Sequence, residues 1–300
     1  MIRKEVLKSW FKLFIKLAVT IICLWYVSQK IDWIKSFSII QQSNLLWLIV
    51  AIVLFVASKV VAAIRLNIYF KNLNLKISQS QNLRLYWLGM FYNLFLPGGI
   101  GGDAYKIILL NRTYKFSAKQ LTAAVLLDRI SGVVGLGILA IIYYYFVFNG
   151  ANYSIVFLLL LPVVIILYYF LVLKIFPSFI SGFWPALWLG LAVQILQVFC
   201  AYSIMMALHI NMHQTTYIFI FLLSSIVAIL PFTIGGLGAR EVVFIWGSNT
   251  LLHVTNDATP VSISISFYFI TLIISFIGVY WIYKNPLDEQ KIFMRRNAAE

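Results

Sequence analysis

Apolar residues run in long unbroken blocks along this chain, at roughly 13–28, 45–64, 121–148, 154–173, 184–208 and 261–283. A helix rising about 1.5 Å per residue needs about 20 mostly apolar residues to cross the hydrocarbon core of a bilayer, and these blocks meet that requirement. The pattern predicts an all-α integral membrane protein with about six full spans, in a single domain covering residues 1–300. Two further apolar stretches, 85–110 and 217–252, are of another kind. The first contains Asn93-Leu94-Phe95-Leu96-Pro97-Gly98-Gly99-Ile100-Gly101-Gly102-Asp103, the second Leu230-Pro231-Phe232-Thr233-Ile234-Gly235-Gly236-Leu237-Gly238-Ala239-Arg240-Glu241. Proline removes a backbone donor and each glycine costs a helix about 1 kcal/mol relative to alanine, so neither stretch is a continuous helix. Interrupted backbone survives in hydrocarbon only where protein buries it or where it lines a wet cavity, which predicts two re-entrant helical hairpins.

The flanks set the direction of entry. Lys76 and Arg84 precede the first stretch and Arg112, Lys115 and Lys119 follow it, whereas the second is bounded by 209–214 and 253–257, which hold no Lys or Arg. Cytoplasmic segments are enriched in Lys and Arg, so the first hairpin is expected to dip in from the cytoplasm and the second from the opposite side. Both motifs run Leu-Pro, then glycine-rich backbone, then an acidic residue opening a helix, and their prolines lie 134 residues apart. This predicts an inverted repeat with halves 1–150 and 151–300. Paired Gly/Pro-interrupted segments at matching positions point to a binding site near the bilayer midplane.

Composition and charge narrow the partners. With 62% hydrophobic and 11% charged residues, the chain requires lipid as its solvent. Its net charge of +14 also suits a nucleic-acid binder, but the placement argues against nucleic acid. With a cytoplasmic N-terminus, 20 of the 23 Lys and Arg fall on the cytoplasmic side, including those from Lys59 to Arg84 and the C-terminal Lys284, Lys291, Arg295 and Arg296. The expectation is a bacterial-type inner membrane, both termini cytoplasmic, and contact with anionic lipid headgroups. The basic N-terminus followed by an apolar run lacks a small-residue cleavage site and is expected to stay as a membrane helix. Cys23 and Cys200 lie within apolar runs and are expected to be small buried hydrophobes.

A helix that restarts after a break presents unbonded N–H groups and a positive dipole end, which suit a phosphate. Asn93, Pro97, Gly101, Gly102 and Asp103 at the first break are therefore expected to line a substrate site, with Pro231, Gly235, Gly236, Gly238, Arg240 and Glu241 at the second. Asp103 and Glu241 equally suit helix caps. Arg240 at membrane depth needs compensation, from a phosphate or from Asp103, Asp128 or Glu241, whereas Lys106 can also snorkel to the interface. Asp128 and Arg129 are neighbours in one helix and point about 100° apart, so each needs its own partner. Arg84, Lys106 or Arg240 are the candidates for Asp128, and Asp103 or Glu241 for Arg129. Fold-holding ion pairs or a gating, proton-coupled role both fit these two residues. Gly132, Gly135 and Gly137 follow, a spacing that predicts close helix packing. His209 and His213 share a helical face at i, i+4 but have no third ligand, so no metal site is expected. Nucleotide loops and Ser/His/Asp motifs are absent, so neither a cofactor nor a catalytic residue is expected.

Three pieces, Asn93-Leu94-Phe95-Leu96-Pro97 with Gly101-Gly102-Asp103, then Leu127-Asp128-Arg129-Ile130-Ser131-Gly132, then Pro231 with Gly235-Gly236-Leu237-Gly238-Ala239-Arg240-Glu241, carry a resemblance in this order and spacing. Over roughly 8–283 the chain resembles the lysylphosphatidylglycerol synthase transmembrane region family, also described as the flippase-like domain family. The resemblance implies a lipid flippase module, which in members fused to a synthase domain translocates aminoacylated phosphatidylglycerol. This chain runs only about 17 residues past its last span, so it is expected to be a stand-alone member, and aminoacyl transfer is not carried over. The cargo so implied is an anionic phospholipid or a polyprenyl-phosphate-linked headgroup, with a lipid-modifying enzyme as a candidate partner. Two alternatives stay open: a membrane enzyme or accessory subunit acting on lipid-linked glycans or phospholipids, with Asp103 or Glu241 as general base, and a small-ion transporter using Asp128.

Overall fold

The computed structural model describes residues 33–95, 100–148, 155–229, 236–254 and 258–287, together with positions 21, 22, 25–27 and 29. Its regular elements are helices: α1 Trp33–Gln41, α2 Leu45–Asn72, α3 Gln79–Phe95, α4 Gly101–Tyr114, α5 Ala118–Val147, α6 Leu160–Ile175, α7 Phe183–Ala207, α8 Gln214–Ile229, α9 Ala239–Leu251 and α10 Thr259–Phe276. Short 3₁₀ turns extend α6 and α7 at their starts and carry α10 on to Tyr283. Among the described residues five stretches are long and apolar enough to cross a membrane, namely Leu45–Asn72, Ala118–Val147, Val156–Ile175, Pro177–Ala207 and Thr259–Tyr283. They match five of the six expected spans, and most of the sixth, 13–28, lies outside the described residues. Val156–Ile175 is the least covered by other helices, so its side chains face lipid.

Helix α2 departs from expectation in a way that matters for the site. It continues eight residues past Ile64, because Lys59 and Arg65 are good helix formers and nothing before Asn72 breaks the backbone. Asn44 caps its start, the side-chain oxygen accepting from the Leu46 amide at 3.0 Å. Asn74, at φ 60, ends it by turning the chain back. Lys59, counted with the cytoplasmic charges from sequence, thus stands about 20 Å from either end of a 28-residue helix.

Hydrogen bonds tie the helix ends into two levels. At one, Asn72 Nδ2 donates to the Phe179 carbonyl (3.3 Å) and Gln81 Nε2 to the Leu287 carbonyl (3.2 Å). At the other, the Asn44 amide donates to the Ala207 carbonyl (2.8 Å). In chain order the pair α3 and α4 lies between α2 and α5, and the pair α8 and α9 between α7 and α10.

Within each pair the helices touch closely. A Cβ on Gly102 would stand 1.9 Å from the Gly89 carbonyl oxygen, and one on Gly247 2.8 Å from Ile220 Cγ1. The predicted breaks at Pro97 and at Pro231 and Gly235 lie outside the described residues; helices α3, α4, α8 and α9 end or begin beside them. Because the atom facing Gly102 is backbone and cannot rotate away, Gly102→Ala is expected to lower stability by about 1–3 kcal/mol through overpacking. A melting curve unchanged from wild type would show that α3 and α4 are not in backbone contact.

The glycines of α5 serve two purposes. Gly132 makes room for the Arg65 guanidinium, and a Cβ on Gly135 would meet the Gly190 carbonyl of α7 at 3.0 Å, whereas one on Gly137 would meet nothing within 4 Å. The expected close packing therefore holds for the first two and not for the third. His209 and His213 do not share a helical face. Helix α7 ends with His209 in the left-handed region (φ 59) and the Ile210 amide reaching back to the Met205 carbonyl, so the chain reverses before His213.

Candidate functional site

Two ion-pair networks meet at the adjacent residues Asp128 and Arg129 of α5. Asp103, at the start of α4, is buried and accepts from Lys106 Nζ (3.1 Å) and from Arg129 Nε. Asn93 at the end of α3 completes this knot, its Nδ2 facing Asp103 at 3.5 Å and its Oδ1 accepting the Gly102 amide at 2.9 Å. Lys106 also lies 4.6 Å from the Tyr86 ring centroid. On the other face of α5, Asp128 accepts from Arg65 Nε at 2.8 Å, with both side chains buried.

The pairing of Arg129 with Asp103 was legible from sequence, but the partner of Asp128 was not. Arg84 instead lies over the Trp281 ring (4.9 Å), Lys106 serves Asp103, and Arg240 packs elsewhere. Arg65 was missed because it was assigned to a cytoplasmic loop. The signal was present: the residues around Lys59 and Arg65, Val60-Val61-Ala62-Ala63-Ile64, hold nothing that stops a helix.

At the second hairpin, Glu241 is the cap that its position suggested. Its carboxylate accepts the Gly238 amide and the Ser264 hydroxyl, each at 2.7 Å, and is buried. Gly236 and Gly238 adopt φ of 80 and 83, a region that favours glycine, as the chain turns into α9. Arg240 makes none of the three carboxylate pairs considered from sequence. Its Nη1 donates to Ser225 Oγ at 3.2 Å, and its guanidinium carbon lies 4.9 Å from the Phe267 ring and 5.6 Å from the Phe221 ring.

These contacts alter the expected anion site. The amides of Gly102 and Gly238, at the starts of α4 and α9, are already bonded by Asn93 and Glu241, and a carboxylate stands in the first turn of each helix. One amide at each helix start is thus bonded by a side chain of the chain itself. Positive charge without a carboxylate lies instead on Arg240 and on Lys59. Lys59 Nζ is 4.5 Å from the Phe55 ring centroid, Phe55 packs edge-on to Phe267 at 5.7 Å, and Phe267 meets Phe221 at 4.9 Å. Three phenylalanines from α2, α8 and α10 therefore carry two cations. Both cations are partly buried. Neither has an ion-pair partner among the described residues.

Asp103 is about 16 Å along α4 from Tyr114, and Arg240 about 16 Å along α9 from Leu251. Among the described residues no cluster of His, Cys, Asp and Glu has the makings of a metal site.

The sequence profile described as "Lysylphosphatidylglycerol synthase TM region" matches residues 13–278. The chain belongs to this family. Family membership and the apolar helices together make it a multi-pass membrane protein, and the matched region is a transmembrane one. A relative named as a UPF0104 membrane protein, from Pyrococcus horikoshii, is 24% identical over 130 residues, 43% of this chain. The aligned part spans only 38% of that relative's length. No solved structure matches the chain.

Proposed function

We propose that this member of the lysylphosphatidylglycerol synthase transmembrane region family moves a lipid with an anionic headgroup across a bacterial-type cytoplasmic membrane, with both termini cytoplasmic. The observation that carries this reading is the pair Lys59 and Arg240, two cations on apolar helices that lie over aromatic rings and form no salt bridge among the described residues. A charged side chain at the bilayer centre costs about 2.5–3.5 kcal/mol on insertion scales, a cost that transient pairing with a headgroup offsets. In this reading the halves 1–150 and 151–300 form an inverted repeat whose hairpins frame the headgroup path. Asp103, Lys106, Asp128 and Arg129 hold the first hairpin in place, and Asn93, Gly101, Gly102, Gly236, Gly238 and Glu241 shape the two helix starts. Pro97, Pro231 and Gly235, expected at the breaks from sequence, lie outside the described residues. A lipid-modifying enzyme that makes the cargo is the partner that fits.

The enzymatic alternative is less well supported, because Asp103 is held by two cations and Glu241 accepts two hydrogen bonds, leaving neither carboxylate open as a base. In vesicles carrying fluorescent phosphatidic acid or phosphatidylcholine, the wild type is expected to exchange the anionic probe between leaflets and to leave phosphatidylcholine in place. Arg240→Ala and Lys59→Met are expected to slow that exchange at least ten-fold. Rates equal to wild type in both variants would defeat the assignment.

A further inference from the structure

Where α2 gives way to α3 the chain forms a pocket of about 410 Å³. Lys71 in the last turn of α2 and then Asn74, Lys76 and Ser78 supply its polar lining, with Leu75 and Ile77 as the apolar part. Burial alternates along this turn: Leu75 and Ile77 are buried in the core at that end of the bundle, while Asn74, Lys76 and Ser78 are exposed. The backbone is pinned on both sides. The Asn74 amide donates to the Lys71 carbonyl at 2.9 Å and the Leu75 amide to the Phe70 carbonyl at 3.0 Å. Ser78 and Gln81 cap α3 reciprocally, Ser78 Oγ accepting the Gln81 amide (3.2 Å) and Gln81 Oε1 the Ser78 amide (3.1 Å).

The lining offers positive charge and donors without negative charge. Neither Lys71 nor Lys76 forms a salt bridge with a described residue, and Asp103, Asp128 and Glu241, the acids among the described residues, are bonded elsewhere. Ser78 Oγ serves Gln81 as an acceptor and keeps its own O–H to donate, and the Asn74 carboxamide adds two N–H donors. Two ammoniums, a hydroxyl and an amide on one pinned turn match the oxygens of a phosphate. Position selects the carrier of that phosphate. Leu45–Asn72 is a membrane span, so its last turn lies where lipid headgroups lie.

We infer that this pocket binds the phosphate of an anionic lipid headgroup in the leaflet at the Asn72 end of α2, with Lys71 and Lys76 as its counter-charges. The site stands apart from the proposed transport path, since Lys59 lies 12 residues, about 18 Å, further into α2. A lipid held there braces the turn that leads into α3, the outer leg of the first hairpin.

The purified full chain in neutral detergent, offered equal amounts of phosphatidylglycerol and phosphatidylcholine, provides the test, with bound lipids counted by native mass spectrometry. Wild type is expected to retain one phosphatidylglycerol more than Lys71→Gln/Lys76→Gln does. Without lipid the two proteins should melt together, because neither lysine has a salt bridge to lose. Lys71→Arg/Lys76→Arg should keep the lipid, and so should Lys119→Gln/Lys174→Gln, which removes the same charge from exposed lysines elsewhere. Equal retention by wild type and Lys71→Gln/Lys76→Gln, an equal loss in the Lys119→Gln/Lys174→Gln control, or phosphatidylcholine held as readily as phosphatidylglycerol overturns the inference and leaves the leaflet-exchange result untouched. Asp288 and Glu289 follow Leu287, whose carbonyl accepts from Gln81. Retention that appears only in Asp288→Asn/Glu289→Gln would mean that the chain's own carboxylates answer the two lysines, and overturns it as well. Inorganic phosphate that displaces the lipid at equal concentration would support a phosphate site and overturn a lipid as its occupant.

Discussion

Arg65→Met is expected to destabilise the protein by about 3–5 kcal/mol, because it strands the Asp128 carboxylate in a buried site with no cation to answer it. Gly132 and Gly190 approach the guanidinium closely, a Cβ on either standing 3.5 Å from Arg65 Nη1 and one on Gly190 only 2.9 Å from the Ser131 carbonyl oxygen, so solvent has little room to replace it. The same reasoning predicts that adding Asp128→Leu to Arg65→Met recovers most of the loss, since replacing both members of a buried pair by apolar groups is often neutral. Thermal unfolding followed by size-exclusion chromatography in detergent reads all three variants. If the double variant is no more stable than Arg65→Met alone, the pair does not act as a unit.

Asp103→Asn is expected to be the second large effect, and to reach transport as well as stability. It removes the counter-charge that Lys106 and Arg129 share and loosens the hold of α5 on the start of α4. Because Arg129 keeps partial exposure, the stability loss should sit near the low end for a buried pair, about 3 kcal/mol. Glu241→Gln is the contrasting case. A glutamine oxygen still accepts from Gly238 or Ser264, so the loss should be about 1 kcal/mol, in the range of a helix cap. Melting temperatures ranked the other way round would mean that Glu241, and not Asp103, anchors its hairpin more strongly.

Much of the fold was legible along the chain. Hydropathy summed over about twenty residues located five of the described spans, and the glycine and proline clusters marked where α3 gives way to α4 and α8 to α9. The Asp103–Arg129 contact was also within reach, since a cation and an acid flanking a short connection at similar depth have few other partners. The errors share one origin. Lys59 and Arg65 were counted with the cytoplasmic charges, and the expected span stopped at Ile64, although the backbone had no reason to end the helix there. His209 and His213 were given helical spacing across a turn that only the end of α7 creates.

By itself, the sequence determined the solvent this protein requires, the number and place of its apolar helices, and the two points where helix must fail, because these follow from local preferences of short segments. Only the tertiary structure decided which charges meet. Arg65 and Asp128 are 63 positions apart, and Lys59, Phe55, Phe267 and Arg240 come from three different helices. The cost of an unpaired charge depends on the desolvation that packing imposes, a property no single segment carries. For the same reason only the structure shows that Asn93 and Glu241 each bond an amide at the helix starts, and that Lys59 and Arg240 lie over aromatic rings.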